Sequence, residues 1–211
     1  MLQENLIRMY EESFRAHREL PALTDYFKGE TFSYYEMAKE IAKLHLFFKK
    51  AEIRRGDKIA LVGRNNPRWC ITYLATITYG AVIVPILQDF APADIVHIVN
   101  HSESRLLFVG DNYWDIIEED EIARIDALTD FHVIYERRGK SLGVYMRDMV
   151  KNYRAKYKRG FSADDIKYPD IPNDQMVLLN YTSGTTGYSK GVMLTVNNLT
   201  GNVLVAKNAR N

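Results

Sequence analysis

The sequence predicts an α/β protein built on a mostly parallel sheet flanked by helices. Strand-like apolar runs alternate with helical patterns along most of the chain, and strands joined through helices usually pair in parallel. The runs are continuous in valine, isoleucine and leucine, as expected of strands buried on both faces. Because 46% of the 211 residues are apolar and 26% are charged, the chain has enough apolar material for a substantial core.

The first part of the chain predicts a helix, a hairpin and a second helix. The first helix is predicted by apolar residues at helical spacing: Leu6, Met9, Tyr10 and Phe14. Segments 22–27 and 30–32 flank Lys28-Gly29 as a hairpin. Ser33 and Glu36 form an S-x-x-E capping box, which predicts the start of the second helix. Its apolar stripe consists of Met37, Ile41, Leu44 and Phe48.

The middle of the chain predicts alternating strands and helices. Gly56-Asp57 ends the second helix, a short strand follows at 58–62, and Pro67 after Asn65-Asn66 predicts a third helix that ends near Gly80. The later strand candidates are 82–87, 106–109 and 132–135, and helical patterns separate them at 92–101 and 122–128. Two further apolar runs, 176–179 and 192–195, are predicted to be buried strands on either side of a polar segment.

That polar segment, YTSGTTGYSKG at residues 181–191, combines three glycines and five serine or threonine residues with Lys190. Glycine lets backbone N–H groups approach phosphate oxygens, hydroxyl groups donate further hydrogen bonds, and lysine supplies positive charge. The pattern favours a loop that binds a polyphosphate, and hence nucleotide chemistry. A solvated linker is the structural alternative, and the apolar runs on both sides argue against it.

The spacing excludes two common nucleotide-binding patterns. Counting from Gly184, Ser189 stands where G-x-x-x-x-G-K-[ST] needs its second glycine, and Gly191 stands where it needs a hydroxyl group. Gly184 and Gly187 have no third glycine at the offset that G-x-G-x-x-G requires.

The segment closely resembles the signature of the adenylate-forming enzymes, roughly [YF]-T-S-G-T-T-G-x-P-K-G-V. This family includes acyl-CoA synthetases, aryl-CoA ligases, peptide-synthetase adenylation domains and firefly luciferase. The match covers residues 181–187 and 190–192. Ser189 replaces the usual proline, and Val196 replaces a histidine that many members have. Because serine does not fix φ, we expect a less rigid loop and a changed nucleotide affinity, with the same type of reaction.

Four further motifs carry the same resemblance. In the family order they are TFSYYEM at 31–37, GDKIA at 56–60, NNPRW at 65–69 and GAVIVP at 80–85. We interpret these motifs as caps, turns and core segments, which identify the fold. The functional role is expected from the loop at 181–191. Within the family, GVMLT followed by Asn197-Asn198 looks most like a long-chain fatty acyl-CoA synthetase.

The resemblance implies a reaction in two steps. A carboxylate attacks the α-phosphate of ATP to give an acyl adenylate and pyrophosphate, and a thiol, commonly coenzyme A, then displaces AMP to give a thioester. ATP, Mg²⁺ and coenzyme A are implied as cofactors or co-substrates, and a small-molecule carboxylic acid, with a fatty acid favoured, is the implied partner. The residues assigned to the phosphates are Thr182, Ser183, Gly184, Thr185, Thr186, Gly187 and Lys190. Their hydroxyl groups would donate to the β- and γ-phosphates, the glycines would allow close backbone approach, and the lysine would supply the cation.

The remaining functional motifs of the family follow this loop: the metal-binding glutamate, the ribose-binding aspartate, the hinge and the C-terminal lysine that serves adenylation. No catalytic residue and no metal ligand is therefore assigned, and the chain is expected to be an N-terminal fragment that does not turn over alone. Residues 1–172 are predicted to form an α/β N-terminal subdomain, and 173–211 to begin the nucleotide-binding subdomain. Two alternatives stay open, a non-catalytic nucleotide-binding domain and the adenylation of an amino or aryl acid.

Composition limits the partners and the compartment. The formal net charge of +1 gives no general attraction to nucleic acid, and no obligate protein partner is evident. A cytoplasmic protein is predicted, because no apolar stretch has membrane-spanning length and the N-terminus lacks the apolar region of a signal peptide. Residues 137–159 carry nine Lys or Arg against the single acid Asp148 and predict a basic amphipathic helix. A solvated basic face is favoured over peripheral contact with anionic lipid.

Two other candidate residue types are expected to be structural. Cys70 lies in an apolar helical stretch, where a packing role is favoured over that of a nucleophile. His97 and His101 have a spacing that can bind metal, but no third ligand accompanies them, so ordinary core or surface histidines are expected.

Overall fold

The structure, a computed structural model, describes residues 2–110, 132–135, 149–182 and 190–209. Its helices are α1 (Leu6–Ala16), α2 (Tyr34–Lys50), α3 (Pro67–Tyr79), α4 (Pro92–His101), α5 (149–156) and α6 (Val196–Asn208). Its strands are β1 (Pro21–Asp25), β2 (Glu30–Ser33), β3 (Lys58–Val62), β4 (Val82–Ile86), β5 (Ser104–Val109), β6 (His132–Tyr135), β7 (Met176–Thr182) and β8 (Lys190–Thr195). A 3-10 turn lies at Ala163–Asp165.

Six of the strands form one sheet in the order β6-β5-β3-β4-β7-β8. β3 pairs in parallel with β4 and β5, β4 pairs in parallel with β7, and β5 pairs in parallel with β6. β8 pairs antiparallel with β7, and β1 and β2 form a separate antiparallel hairpin. The predicted α/β fold with a mostly parallel sheet is confirmed.

Helices cover both faces of this sheet. Along β3, Ile59 and Leu61 belong to one apolar cluster, which also contains buried residues of α1, α2 and α3. Ala60 and Val62 belong to a second cluster, which contains the buried face of α4. Because successive side chains of a strand point to opposite faces, this division places α4 on one side and α2 with α3 on the other.

Local signals start α2 and bound α3 where the sequence predicts, whereas α2 ends at Lys50, six residues before the break predicted at Gly56-Asp57. Ser33 accepts a hydrogen bond from the Glu36 N–H, and the Glu36 carboxylate accepts one from the Ser33 N–H at 2.8 Å. The Ser33 N–H and the Ser33 hydroxyl group both donate to this carboxylate, which lowers the pKa of Glu36. Asn66 caps α3 and Pro67 is its first residue, whereas Gly80 ends it in the left-handed conformation with φ of 91°. The capping box and both boundaries of α3 are confirmed.

The structure corrects the expectation that two buried strands flank the polar segment. β7 is buried over Val177 and Leu178, as predicted. β8 is not, because residues 190–193 are exposed and Met193 is 70% exposed. β8 lies at the end of the sheet with β7 as its neighbour among the described strands, so its outer side has no strand against it there. The apolar run at 192–195 therefore forms an exposed edge strand.

The described part of the basic segment packs its apolar side inward. Tyr153 is 9% exposed, and its ring lies 4.9 Å from that of Tyr157 and 6.3 Å from that of Phe161. Lys151 and Arg154 are exposed. This arrangement favours the solvated basic face, because the aromatic side that a membrane would need already contacts protein. The rest of the basic segment and the helix predicted at 122–128 lie outside the described residues.

Elements on either side of residue 172 share one sheet and one core. Val177 and Val196 join the apolar cluster of α2 and α3. The Gln175 side-chain amide donates to the Gly80 carbonyl oxygen at 2.8 Å, which ties the segment before β7 to the end of α3. The division into subdomains at 1–172 and 173–211 stays a prediction.

Candidate functional site

The two ends of the predicted phosphate-binding loop are neighbours in the structure. Thr182 ends β7, Lys190 begins β8, and the two residues lie directly opposite each other in the antiparallel pairing. Both are exposed. Because the Cβ atoms of such opposite residues lie roughly 5 Å apart, a hydroxyl group and an ammonium group here can reach the same anion. The other assigned residues lie outside the described residues: Ser183, Gly184, Thr185, Thr186 and Gly187.

This pair lies at the end of the sheet that is formed by the carboxyl termini of its parallel strands, called here the carboxyl edge. β7 runs parallel to β4, with Leu178 opposite Ile83, so Thr182 lies toward the same edge as the carboxyl ends of β3, β4 and β5. In open α/β sheets, ligands bind at this edge. The turns that follow β3 and β4 place exposed Arg64 and Asp89 along it as well. No local motif marks these two residues in the sequence.

Tyr181, the first residue of the signature, anchors the end of β7. Its side chain is 1% exposed, and its hydroxyl oxygen lies 2.6 Å from Nδ1 of His101, the last residue of α4. The two rings are nearly perpendicular, with centroids 5.7 Å apart. Burial raises the pKa of Tyr181 above the ordinary value of a phenol, because burial disfavours the charged phenolate. The sequence analysis missed this contact because 80 residues separate its partners and no periodicity links them.

Gly191, which is not among the residues assigned to the phosphates, has a packing role. It lies opposite Tyr181 in the pairing of β7 with β8. A Cβ atom at Gly191 would lie 3.0 Å from Cδ1 of Leu179 and 3.3 Å from Cζ of Tyr181, closer than side chains normally pack. The glycine therefore lets β8 lie directly against the Tyr181 ring.

The start of α6 fixes the other end of β8. Thr195 and Asn198 form a reciprocal cap, in which the Asn198 side-chain oxygen accepts from the Thr195 N–H at 2.9 Å. Val196, which replaces the histidine common in the family, is fully buried in the core cluster of α2 and α3. An apolar side chain suits this position because it leaves no buried polar group unpaired.

The other candidate residues from the sequence lie outside the pair of Thr182 and Lys190. The rings of His97 and His101 lie 5.6 Å apart, and the part of the chain that the structure describes holds no group of three His, Cys, Asp or Glu placed to bind a metal ion. Cys70 is half-buried in α3, and burial raises the pKa of its thiol, which disfavours the nucleophilic thiolate.

A cavity of about 280 Å³ lies between α2, α5 and residues 161–168. Its lining mixes acids and bases, with Asp164 and Asp165 beside Lys156 and Lys167. His45 also lines it, and burial lowers the pKa of the His45 imidazole to about 4, so that this ring is neutral near pH 7. Of the residues assigned to the phosphates, the two that the structure describes, Thr182 and Lys190, do not line this cavity.

The fold and the site together define the class of this protein. It is an α/β protein that carries a threonine and a lysine, Thr182 and Lys190, opposite each other at the carboxyl edge of its sheet. The sequence model of the AMP-binding enzyme family matches residues 10–211. The chain belongs to this family of adenylate-forming enzymes.

Two of the relatives that this chain matches are named as CoA ligases of different acids. A long-chain-fatty-acid–CoA ligase of Escherichia coli O157:H7 is 22% identical over 220 residues, which cover 95% of this chain and 38% of the ligase. 4-Hydroxybutyrate–CoA ligase 2 of Metallosphaera sedula is 34% identical over 152 residues, which cover 68% of this chain and 26% of that enzyme. The chain thus spans well under half the length of the ligases that it matches.

Solved structures share the fold. The anthranilate CoA ligase AuaEII in complex with anthranoyl-AMP superposes with a TM-score of 0.74 at 18% identity, over 93% of this chain and 34% of the ligase. MatB from Rhodopseudomonas palustris superposes with a TM-score of 0.71 at 23% identity, over 95% of this chain and 36% of MatB. Among the described helices of this chain, none combines the length and the apolar character needed to cross a bilayer.

Proposed function

We propose that the protein carrying this chain is an AMP-forming acid–thiol ligase in which the loop from Thr182 to Lys190 holds the polyphosphate of ATP. The observation that carries this proposal is the pairing of Thr182 with Lys190 at the carboxyl edge of a mostly parallel sheet. A hydroxyl donor and a cation at the two ends of one glycine-rich loop suit a ligand with several anionic oxygens. The signature residues between them supply the further donors.

The chemistry that the loop must support is a displacement at phosphorus. A carboxylate oxygen of the acid forms a bond to the α-phosphorus of ATP, and the bond to the bridging oxygen breaks, so that pyrophosphate leaves with the electron pair. A thiol then loses its proton to solvent, its sulfur forms a bond to the acyl carbon, and the bond from that carbon to the phosphate oxygen breaks, so that AMP leaves with the electron pair. The first step brings two anions together and builds charge on the pyrophosphate, which Lys190 and the loop hydroxyls would offset.

We propose a fatty acid as the acid and coenzyme A as the thiol. The alignment of a long-chain-fatty-acid–CoA ligase over 95% of the chain supports this choice. A fatty acid–acyl-carrier-protein ligase of Streptomyces coeruleorubidus, 26% identical over 86% of the chain, supports the acid but differs in the thiol. Magnesium enters this proposal as a partner of the ATP phosphates, and we assign no protein ligand to it.

Binding of a triphosphate would test the loop. Isothermal titration of the chain with ATP and with inorganic tripolyphosphate should show saturable binding of both, and Lys190→Ala should weaken both by about ten- to a hundredfold through the loss of a charge-assisted contact. Lys207→Ala is the matched control, because Lys207 is an exposed lysine near the end of α6. Equal affinities for wild type and Lys190→Ala would contradict the assignment.

The choice of acid needs a separate measurement. We expect carboxylate-dependent exchange of pyrophosphate into ATP by the protein that carries this sequence to be fastest with palmitate in a panel that also contains octanoate, benzoate, 4-hydroxybutyrate and alanine. A preference for benzoate or alanine would replace the fatty acid with an aryl or amino acid. ATP binding without exchange for any acid would favour the non-catalytic nucleotide-binding domain.

We also propose a cytoplasmic protein in which the exposed basic residues around α5, among them Lys151 and Arg154, form a solvated face, with weak contact to anionic lipid through charge alone as the alternative. Sedimentation with phosphatidylserine vesicles, compared with phosphatidylcholine vesicles, would test the contact. Equal amounts of protein in both pellets would contradict it.

A further inference from the structure

We propose that His101 is a positioning residue for the phosphate-binding loop, because it fixes Tyr181 and thereby the two strand ends that carry Thr182 and Lys190. This inference rests on the function proposed above and adds a residue that no signature motif contains. His101 lies outside the loop and acts on it through Tyr181.

The first step of the argument is the contact itself. The 2.6 Å distance between the Tyr181 hydroxyl oxygen and Nδ1 of His101 is that of a strong hydrogen bond. A buried phenol without a partner would lose the hydrogen bonds that it makes in water. The hydrogen bond with the imidazole offsets this free-energy cost of burying the Tyr181 hydroxyl group. Tyr181 is 1% exposed, whereas His101 is exposed, so the hydrogen bond joins a buried phenol to an imidazole at the surface.

The second step is the rigidity of the element that carries His101. The buried face of α4 packs on the sheet through Ile95, Ile98 and Val99. Just after the helix, the hydroxyl oxygens of Ser102 and Ser104 lie 2.7 Å apart in a buried contact. The C-terminal end of α4 is therefore attached to β5, and His101 presents its ring from a fixed support.

The third step is the transmission from Tyr181 to both ends of the loop. Thr182 directly follows Tyr181 on β7, and the Tyr181 ring packs against Gly191, which directly follows Lys190 on β8. A shift of the Tyr181 ring would therefore move the backbone next to both phosphate-binding side chains. Misplacement of such groups by about 1 Å is known to be costly for binding and catalysis.

The alternative is that His101 only satisfies a buried hydroxyl group and has no effect on the loop. Three variants separate the two roles. Tyr181→Phe removes the hydroxyl and keeps the ring, His101→Ala removes the partner, and His101→Asn keeps a polar partner of similar reach. Tyr79→Phe is the matched control, because the hydroxyl group of Tyr79, the last residue of α3, donates to the Ile53 carbonyl oxygen between α2 and β3 at 3.1 Å, apart from the hairpin of β7 and β8.

The first measurement needs no ligand. Amide hydrogen exchange by NMR should be about tenfold faster at residues 180–182 and 190–192 in Tyr181→Phe and His101→Ala than in wild type, whereas amides of β3 and β4 exchange at their wild-type rates. His101→Asn should restore most of the protection, and Tyr79→Phe should leave these residues unchanged. If the hairpin amides of both Tyr181→Phe and His101→Ala exchanged at the wild-type rate, the inference would be overturned and the proposed function would remain intact.

The second measurement is the affinity for inorganic tripolyphosphate. We expect Tyr181→Phe and His101→Ala each to weaken binding by about tenfold, and the double variant to be no weaker than either, because both remove one contact. Altered exchange with unchanged tripolyphosphate affinity would reduce the contact to a structural one and overturn the inference. Absence of tripolyphosphate binding by wild type would instead defeat the proposed function, and the positioning role with it.

Discussion

The side-chain amide nitrogen of Asn5 donates to the side-chain oxygen of Asn173 at 2.7 Å, across 168 residues of sequence. The same Asn5 nitrogen donates to the Ile171 carbonyl oxygen at 2.9 Å, while the Asn5 side-chain oxygen caps α1. In return, the Asn173 side-chain nitrogen donates to the carbonyl oxygens of Leu2 and Glu4, both at 2.9 Å. The start of the chain is thus attached to the segment that leads into β7 and the candidate site.

Asn5→Ala should destabilise the fold by about 2 to 3 kcal/mol, since it removes a helix cap and two long-range hydrogen bonds. Asn5→Asp keeps a capping oxygen and loses the amide donor, so we expect roughly half that loss. Urea unfolding followed by circular dichroism would measure both. Asn202→Ala, at an exposed position of α6, is the control and should cost nothing. Equal effects of Asn5→Ala and Asn202→Ala would show that the attachment contributes no stability.

Glu11 should be more important for stability than its position on a short N-terminal helix suggests. It is 8% exposed, its carboxylate lies 2.9 Å from Nη2 of Arg15, and it accepts a hydrogen bond from the Tyr168 N–H at 2.8 Å. Glu11→Ala leaves both donors without this partner and should cost about 2 to 4 kcal/mol. Glu12→Ala, at the exposed neighbouring position, should change the unfolding free energy by less than about 0.5 kcal/mol. Similar losses for the two variants would contradict the role of Glu11.

Stability should fall as the pH is lowered past the ordinary pKa of histidine, because of His45. Burial holds the pKa of the His45 imidazole at about 4, although its Nε2 lies 3.0 Å from the Ala75 carbonyl oxygen. Since the folded state binds the proton more weakly than the unfolded state, His45 stabilises the fold fully above about pH 6.5, and this contribution is lost between about pH 6.5 and 4. The loss is at most about 3 kcal/mol, because part of the ring remains accessible from the cavity.

An NMR titration of the His45 ring protons would measure this pKa directly, and we expect a midpoint near 4. A midpoint near 6.5 would show that the ring is solvated. His45→Phe should flatten the fall of unfolding free energy over this pH range, while the contribution of carboxylates such as Glu36, whose pKa is lowered, remains.

Gly191→Ala should destabilise the hairpin by about 1 to 2 kcal/mol, because the new methyl group would collide with Leu179 and Tyr181. Leu179→Ala should relieve part of that collision, so the double variant should lose less than the sum of the two single variants. Gly201→Ala is the contrasting control. It lies within α6, where the nearest atom to an added Cβ is 3.9 Å away, and alanine should stabilise the helix by about 0.5 to 1 kcal/mol. Thermal unfolding would measure all four variants, and a Gly191→Ala variant as stable as wild type would contradict the close packing of β8.

The accuracy of the sequence predictions depends on the range of the interaction behind each one. Caps, turns and periodicity act within a few residues, so the capping box of Ser33 with Glu36, the start of α3 at Pro67 and its end at Gly80 were all predictable. The exposure of β8 was not, because an apolar run such as 192–195 has the same composition in a central strand as at an edge. Only the sheet order decides which it is.

For the candidate site, the sequence determined which residue types stand in the phosphate-binding segment and to which family the chain belongs, since a contiguous signature is readable without a fold. The tertiary structure decided that Thr182 and Lys190 face each other at the carboxyl edge of the sheet, and that His101 contacts Tyr181. These relationships join residues that are distant in sequence or separated by a loop. They depend on strand order and helix packing, which arise from the burial of the whole apolar core and are not encoded by any local pattern.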